Sequence, residues 1–435
     1  MKTPHWIKYL FRPIDEDRRS QLRTRWAELG PDLQTDAQAI GHYTVGCGAT
    51  HGIYERCNFG CTACYLGNKA NQQTAMPFEQ VNEQLLALRA HLGPGGNVQI
   101  TSGEVTLLPL KNLVRILKRS VSLGLSPMVM THGDVILHQP DYLDQLVVLG
   151  GLDKISIHVD ITQRGRLGVP REASEGRLNR VRNQMAYLLR ESRARTGRKL
   201  KAASTLTVNR ANFDQLRHPI CWFLGNLDSF RIMSFQPQAN TGRTQSGDGV
   251  SGAQVWARLE DILEKKLNPH PVQFGHEACN QIALLVAMET GKKRFLMEAV
   301  RKGNKMDRRF IDGLLANFGG LVAASRPPLE VTAKVIGFLI RKPIWLFRIP
   351  FYVIRRVWQE RQHLPEVVGA LVQLKLRIRP FAFVVHAFMS RDELQTSQGR
   401  ERLAACTFKL SLNAEMVSMC EMNGTDLRED SYKVQ

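Results

Sequence analysis

The chain has 435 residues, 43% of them hydrophobic, and a formal net charge of +19. This length allows one large core with smaller additional units, and the composition excludes a mainly disordered chain. The charge predicts an anionic partner: nucleic acid, anionic lipid headgroups or an acidic substrate. No stretch reaches the roughly 20 apolar residues of a membrane-spanning helix, and residues 1–23 lack the apolar core of a signal peptide. We therefore expect a cytoplasmic protein whose eight cysteines stay reduced.

Residues 1–46 are predicted to form an N-terminal helical extension. Trp6, Leu10 and Phe11 share one helical face, beside basic residues such as Lys8 and Arg12. We expect this face to pack on the rest of the protein, and an interfacial membrane anchor is the alternative.

Three cysteines, Cys57, Cys61 and Cys64, lie within eight residues. Thiolates are the ligands of iron–sulfur clusters, and four of them normally complete a four-iron cluster. Three leave one iron open, where a substrate or cofactor can bind. Zinc sites usually combine two Cys-x2-Cys pairs, a pattern that is missing here. The flanking patterns predict a short strand at 51–56 and a helix at 78–91, which is the first unit of a parallel α/β fold.

This Cys-x3-Cys-x2-Cys loop resembles that of the radical S-adenosylmethionine (radical SAM) enzymes. The resemblance implies a [4Fe-4S] cluster held by Cys57, Cys61 and Cys64, with S-adenosyl-L-methionine at the open iron. It also implies a reductant partner such as ferredoxin or flavodoxin. The residue before the third cysteine, commonly aromatic in this family, is Ala63 here. We expect Tyr65 or Phe59 to supply the adenine contact instead.

The second predicted strand ends in Ser102-Gly103-Glu104. The family has a Gly-Gly-Glu type motif at this point, so the resemblance implies that Glu104 binds the methionine ammonium, helped by Ser102 and Gly103. His132 follows the third strand, and His158 and Asp160 follow the fourth, at the end where α/β barrels carry their chemistry. The resemblance implies contacts from these residues to the cofactor ribose or the substrate. A plain structural role is the alternative for each.

Strands alternate with helices from about residue 50 to residue 240. The further strands are predicted at 127–133, 154–158, 202–208 and 230–235, and the helices at 109–123, 140–149, 172–195 and 213–225. This order predicts an α/β fold, and with the resemblance a partial (β/α)6 radical SAM barrel over residues 47–245. Gly242–Gly252, rich in Gly, Ser, Thr and Gln, predicts a linker.

Residues 253–385 are predicted to be largely helical, basic and aromatic, with helices at 253–267 and 280–322 and a change of composition after Pro327. The stretch Val335–Trp358 mixes aliphatic, aromatic and basic residues, and Pro343 and Pro350 prevent one straight helix. Its charges exclude a comfortable membrane span. Contact with a membrane surface and a buried hairpin with snorkelling basic side chains both stay open.

The C-terminal segment, residues 386–435, is predicted to contain a hairpin of 407–412 and 415–420 closed by Asn413-Ala414. The hairpin brings Cys406 and Cys420 together. Two paired thiols suggest a metal site, for which Cys279 is the candidate third ligand and Cys221 or Cys47 the fourth. The segment and the Cys279 loop are similar to radical SAM tetraether lipid synthases and their bacterial relatives, which have richer cysteine sets. The resemblance suggests a second iron–sulfur cluster.

The radical SAM resemblance implies reductive cleavage of S-adenosyl-L-methionine to a 5′-deoxyadenosyl radical that functionalises an unactivated C–H bond. The leading hypothesis for the substrate is a membrane lipid or isoprenoid chain. A peptide- or protein-modifying maturase is the second hypothesis. An iron–sulfur RNA-binding or electron-transfer protein without radical chemistry is the third.

Overall fold

The computed structural model describes residues 5–244, 249–291, 293–321 and 328–432. Parts of several sequence predictions therefore lie outside the described residues, including positions 292 and 322 of the predicted helix and the last three residues of the C-terminal segment. The others are the first four residues of the N-terminal extension, positions 245–248 of the predicted linker, and the change of composition at Pro327.

The strands of the described chain form one sheet in the order β11-β10-β1-β2-β3-β4-β5-β6-β9-β7-β8. Their bounds are β1 Cys47–Ala49, β2 Asn97–Ile100, β3 Ser126–Thr131, β4 Lys154–His158, β5 Lys201–Val208, β6 Phe230–Pro237, β7 Asn280–Glu289, β8 Arg294–Glu298, β9 Arg377–His386, β10 Phe408–Leu412 and β11 Glu415–Ser418.

The helices mostly follow strands, as crossover connections between parallel strands require. Their bounds are α1 Lys8–Phe11, α2 Glu16–Ala27, α3 Phe78–Leu92, α4 Leu110–Ser122, α5 Asp134–His138, α6 Pro140–Val148, α7 Glu175–Thr196, α8 Arg210–Phe213, α9 Arg217–Gly225, α10 Gly252–Leu263, α11 Lys305–Phe318, α12 Pro328–Arg341, α13 Trp345–Gln359, α14 Leu364–Val372, α15 Ser397–Ala404, α16 Met419–Gly424 and α17 Leu427–Ser431.

Strands β1 to β6 pair in parallel and in chain order. Apolar faces of the helices pack on this sheet, and Leu85, Leu88, Val129 and Leu206 belong to the continuous core. The sheet curls into a half-barrel with helices around it. The predicted fold class, an α/β partial barrel with a largely helical C-terminal region, is confirmed.

The predicted strand at 51–56 was wrong. The strand at this point is β1, Cys47–Ala49, and His51–Arg56 is a loop. Gly52 has a φ of 67°, a left-handed conformation that ends the extended run. Ile53 in this loop has a buried side chain, and this apolar position made the sequence resemble a strand.

The prediction of a helix over 280–322 was wrong for its first half, which forms β7 and β8; only α11 lies within the predicted range. The run from Ile282 to Met288 is apolar, and such a short run does not by itself distinguish a strand from a buried helix. Its partner decides the matter: β7 pairs antiparallel with β9, almost 100 residues later in the chain. The division of the chain into units stays a prediction, although β9 runs across the boundary predicted at 385 and 386.

The predicted C-terminal hairpin is present. Asn413 and Ala414 have φ angles of 49° and 68°, as a two-residue turn between twisted strands requires. Strand β10 also pairs in parallel with β1, so the hairpin extends the edge of the barrel sheet next to the cysteine loop.

The stretch Val335–Trp358 is broken as predicted, into α12 and α13, and Pro350 lies inside α13. Helix α12 packs on the N-terminal extension, where Lys334 forms an ion pair with Asp15 at 3.2 Å. In the described parts of the chain, no helix has the length and apolar character needed to cross a membrane.

Candidate functional site

A cavity of about 220 Å³ lies inside the curled sheet and opens at the carboxyl ends of its parallel strands. The structure brings nearly all of the predicted site residues together on its wall; Asp160 lies directly behind. The predicted residues that line it are Cys57, Cys61, Cys64, Tyr65, Ser102, Gly103, Glu104, His132 and His158, and also Cys420.

The cysteine loop is held by backbone hydrogen bonds to two other loops. The Gly60 and Thr62 amides donate to the carbonyls of Arg164 and Thr162, both at 2.8 Å. The Cys64 amide donates to Thr244 Oγ1 at 2.8 Å. Because the loops after β4 and β6 fix this backbone, the three thiols face one end of the cavity.

Burial raises the pKa of Cys57 to about 12, and it also raises the pKa values of Cys61 and Cys64. Neighbouring thiols add to the rise for Cys57 and Cys61. Thiolates here therefore need a cation beside them, as coordinating iron provides. No group of three or more His, Cys, Asp or Glu side chains in the described ranges could hold a single metal ion. A four-iron cluster has a different requirement, since its ligands attach to different irons. The three-thiol donor set fits such a cluster.

Glu104 is buried at the rim of the cavity and is fixed by groups of its own chain. Its Oε1 accepts from the Thr106 amide at 3.1 Å and from Thr131 Oγ1 at 2.7 Å. Its Oε2 accepts from the His132 amide at 2.9 Å, and His132 Nε2 lies 3.2 Å away. The carboxylate is therefore rigidly oriented before any ligand binds.

Gly103 is required by a close backbone approach that the sequence did not show. The Gly103 and Glu104 amides donate to the carbonyls of Tyr54 and Arg56, at 3.0 and 2.8 Å. A Cβ on Gly103 would lie 2.3 Å from the Arg56 oxygen. The missing side chain therefore lets the start of the cysteine loop dock on Glu104.

A buried network behind Ser102 was missed by the sequence analysis. Glu55 Oε1 accepts from Ser102 Oγ at 2.7 Å and forms an ion pair with Arg428 at 2.7 Å. Tyr432 donates to its other oxygen at 3.0 Å. Burial would raise the pKa of Glu55, but Arg428 and the hydrogen bonds hold it below its ordinary value. Helix α17 thus packs the C-terminal segment against the Ser102-Gly103-Glu104 motif. The sequence signal was weak: Glu55 stands beside Arg56 in an otherwise uncharged run.

Tyr65 lines the cavity, and its hydroxyl donates to the Ser102 carbonyl, while Arg428 lies over its ring at 4.9 Å. Phe59, the other candidate for an adenine contact, does not line the cavity. It stacks on His132 at 3.8 Å and lies under Arg166. Phe59 is therefore a packing residue of the loop in this structure.

His132 supports the cysteine loop. Its Nδ1 accepts from the Asp134 amide at 3.1 Å, so we assign the proton to Nε2, which donates to Asn58 Oδ1 at 2.9 Å. Burial lowers the pKa of His132, which favours this neutral form.

His158 and Asp160 form a pair at the end of β4. Their Nε2 and Oδ2 atoms are 2.6 Å apart, and the Thr207 amide donates to the same oxygen at 2.7 Å. Burial would raise the pKa of Asp160, but His158 and these hydrogen bonds lower it. The His158 side chain is 30% exposed and lines the cavity, so Asp160 orients a histidine that a ligand can reach.

The second group of cysteines converges in part as predicted. Cys279, Cys406 and Cys420 are close enough for the neighbouring thiols to raise the pKa of Cys420, after burial, to about 12. The Met389 amide lies 3.4 Å from the Cys420 sulfur, and Arg402 Nε donates to Cys279 at 3.3 Å. Cys420 also lines the main cavity.

The two candidate fourth ligands do not join this group. Cys221 is exposed on α9, on the outside of the barrel. Cys47 is half-buried in β1, where the nearby charge is that of Lys154. In the described structure the side chain that donates to this group is Arg402, which binds the Cys279 sulfur and also pairs with Glu393 at 3.3 Å.

The model of the radical SAM superfamily matches residues 52–190, a span that contains the cysteine loop, Glu104, His132, His158 and Asp160. No curated protein sequence matches the chain. The matched residues form a radical SAM domain, the hallmark of an enzyme class that uses a [4Fe-4S] cluster and S-adenosyl-L-methionine.

Solved structures similar to this chain include anSMEcpe with bound AdoMet, at 10% identity and a TM-score of 0.36 over 50% of this chain and 59% of that one. Methylornithine synthase (PylB) is similar at 14% identity and a TM-score of 0.34, over 60% and 73%. Coproporphyrinogen III oxidase (HemN) from Escherichia coli, a radical SAM enzyme, is similar at 13% and 0.29, over 51% and 52%. The chain thus spans less than two thirds of anSMEcpe, and likeness at these scores carries no argument about activity.

Proposed function

We propose that this protein is a radical SAM enzyme that functionalises an unactivated C–H bond, with a membrane lipid or isoprenoid chain as substrate. One observation carries the proposal: Cys57, Cys61 and Cys64 line the same cavity as Glu104 and His158. When bound there, a [4Fe-4S] cluster and S-adenosyl-L-methionine supply a one-electron reduction and a 5′-deoxyadenosyl radical.

The residues of the cavity have separate tasks in this proposal. The three thiolates would hold the cluster, and Glu104 would accept hydrogen bonds from the methionine ammonium. Tyr65 would contact the adenine, and His158, whose Nε2 is held by Asp160, would offer its other ring nitrogen to the ribose. Because these groups are already fixed by their neighbours, binding requires little reordering.

Water exclusion falls to the C-terminal segment. Phe388, Met389, Phe408 and Met419, all from this segment, line part of the cavity. Met389 and Met419 are buried, so they close this part with apolar surface. Such a wall keeps competing hydrogen donors away from a radical.

The test of the activity is anaerobic reconstitution with iron and sulfide, followed by S-adenosyl-L-methionine and dithionite. We expect 5′-deoxyadenosine from the wild type, at least a 100-fold loss in Cys57→Ala, and no change in Cys221→Ala, whose thiol is exposed elsewhere. Cluster formation without 5′-deoxyadenosine in the wild type would favour the electron-transfer or RNA-binding hypothesis instead.

The exposed surface of α12 and α13 supports the lipid part of the proposal. Apolar side chains stand in solvent there, among the basic residues Arg341, Lys342 and Arg348, as on a helix that lies at a membrane interface. Five side chains beside these charges are each at least 62% exposed: Ile340, Phe347, Phe351, Ile354 and Trp358. This surface favours an interfacial role over a fully buried hairpin.

Vesicle sedimentation tests this surface. Phe347→Ser/Phe351→Ser should lower binding to anionic vesicles roughly tenfold, because two aromatic anchors are lost. The matched control is Val148→Ser/Leu149→Ser, an exposed apolar pair at the end of α6. Equal binding by both variants and the wild type would contradict membrane contact through α13.

The convergence of Cys279, Cys406 and Cys420 favours a second candidate function, modification of a peptide or protein by an enzyme with an auxiliary cluster. Iron analysis distinguishes the candidates. A loss of about four irons in Cys406→Ala/Cys420→Ala, but not in Cys221→Ala, supports the auxiliary cluster. The same iron content in all three proteins would remove it.

A further inference from the structure

A second concave surface lies at the amino ends of β6 and β9, away from the radical SAM cavity. This cleft has a volume of about 780 Å³. Basic side chains dominate its wall, against the two carboxylates of Asp228 and Glu289. The basic residues are Arg190, Lys293, Arg294, Lys375, Arg377 and Arg379.

Both carboxylates of the cleft are already neutralised. Arg190 binds both oxygens of Asp228, at 2.6 and 2.8 Å. Glu289 accepts from Arg294 at 3.0 Å and from Arg379 at 2.8 Å. The remaining cations therefore give the cleft an excess of positive charge.

Two of these cations are available to a ligand. Lys375 is exposed, and in the described part of the chain its ammonium donates to the amide oxygen of Gln373, at 3.1 Å, and to no carboxylate. Arg377 is exposed, and no carboxylate in the described ranges pairs with it. Close by, burial lowers the pKa of Arg231, and the charge of Arg379 lowers it further, so positive charge is crowded here. A concave surface concentrates such a field on an anion.

The lip of the cleft is apolar. Leu374 is 92% exposed and has a φ of 55°, a conformation that is unfavourable for leucine. Val372 and Ile378 are also exposed on either side of it. Exposed aliphatic side chains next to cations are typical of a segment that inserts into a membrane at the boundary between the lipid headgroups and the acyl chains.

We propose that this cleft binds the phosphate of an anionic phospholipid headgroup while Leu374 and Val372 enter the membrane interface. This inference deepens, and rests on, the membrane-lipid part of the proposed function. A lipid fits better than a nucleic acid because the lip is aliphatic, and no aromatic side chain that could stack on a base lines the described cleft. Lys375 and Arg377 are the specific phosphate contacts.

The test uses the full chain and sedimentation with vesicles of phosphatidylcholine, with and without phosphatidylglycerol. Lys375→Gln/Arg377→Gln should bind the anionic vesicles roughly 30-fold more weakly, from the usual contribution of two basic residues near a lipid surface. The matched control is Lys111→Gln/Lys118→Gln, two exposed residues of α4 with the same loss of charge. It should lose no more than about threefold. Leu374→Ser should weaken binding several-fold both to vesicles with phosphatidylglycerol and to vesicles without it.

The possible results separate the alternatives. Equal losses of vesicle binding in the two double variants would show that only net charge matters. That result would overturn the cleft as a binding site. Unchanged vesicle binding with lost binding of a single-stranded RNA oligomer would assign the cleft to nucleic acid and overturn the lipid proposal. Competition by inorganic phosphate at millimolar concentration, without vesicle binding by the wild type, would assign it to a soluble phosphate.

The production of 5′-deoxyadenosine without vesicles should be the same in all these variants. Its absence in the wild type would remove the proposed enzyme activity and leave the vesicle result standing. The two failures are therefore distinguishable.

Discussion

The protein contains two groups of three cysteines, and they are built in different ways. Cys57, Cys61 and Cys64 belong to one loop, whose backbone is hydrogen bonded to neighbouring loops. Cys279, Cys406 and Cys420 come from segments before β7, before β10 and after β11, and only the folded sheet brings them together. All three thiols of the first group face the cavity, whereas in the second group Cys420 lines it and Cys279 accepts from Arg402.

The difference shows that local spacing specifies ligands but does not by itself position them. The first group depends on the far end of the chain, since Arg428 in α17 neutralises Glu55 behind the Ser102-Gly103-Glu104 motif. The second group depends on Arg402, which connects Cys279 to the Ala387 carbonyl after β9. In both sites an arginine from the C-terminal segment completes the structure.

The largest expected effect follows from breaking the link between the first group and α17. Arg428→Met leaves the Glu55 carboxylate buried without its cation, so the free energy of unfolding should fall by about 3–5 kcal/mol. Urea unfolding measures this loss. Glu55→Gln/Arg428→Met, which removes both charges, should recover part of it, and a single variant within 1 kcal/mol of the wild type would show that α17 does not stabilise the loop.

The next effect depends on pH and concerns the loop before the first group. His51 Nε2 donates to the Ser411 carbonyl at 2.8 Å, and Nδ1 has no partner in the described structure. Burial, with Arg428, lowers the pKa of His51 to about 4. The unfolded chain, with a histidine pKa of about 6.5, therefore binds more protons between pH 6.5 and 4. The stabilisation is complete above pH 6.5 and decreases as the pH falls, by about 3 kcal/mol in total.

Chemical unfolding at pH 7.5 and at pH 5 measures this dependence. His51→Gln keeps a donor for Ser411 but cannot take up the proton, so its stability should decrease less on acidification. His138→Gln, at an exposed histidine of α5, should follow the wild type. An unchanged dependence in His51→Gln would contradict the assignment.

A smaller effect tests the second group. Arg402 also donates to the Ala387 carbonyl at 2.7 Å. Arg402→Met should therefore lower the free energy of unfolding by about 2 kcal/mol, as expected for the loss of hydrogen bonds from a charged donor. Arg400→Met, on an exposed face of the same helix, should change it by less than about 0.5 kcal/mol. If both variants behave alike, Arg402 does not organise the three thiols.

The smallest expected effect concerns Ser102, where this chain differs from the Gly-Gly-Glu type motif. Ser102→Ala removes the hydrogen bond to Glu55 and should cost about 1 kcal/mol in unfolding experiments, while Glu55 keeps its other partners. Ser122→Ala, an exposed serine, is the control. An unchanged free energy of unfolding in Ser102→Ala would show that Arg428 and Tyr432 are the partners that stabilise Glu55.

Much of the barrel was predictable because its strands and helices have clear periodicities. The predicted helix at 78–91 and the strand at 154–158 agree with the structure to within one residue. The predictions failed where a partner distant in sequence determines the secondary structure. Residues 280–289 form the strand β7 because β9 pairs with them. Residues 51–56 form a loop around the buried Glu55. The position of Arg402 beside Cys279 could not be predicted either, because the spacing of cysteines says nothing about an arginine.

The sequence by itself determined the cysteine spacing, the motif after the second strand and the order of the barrel elements, since these depend on neighbouring residues and short periods. Only the tertiary structure decided which of the other five cysteines meet, why Gly103 has no side chain, and where the excess of positive charge forms a cleft. These features arise from contacts between segments far apart in the chain. Burial and electrostatic pairing act on atoms that are close in space, whatever their distance in sequence.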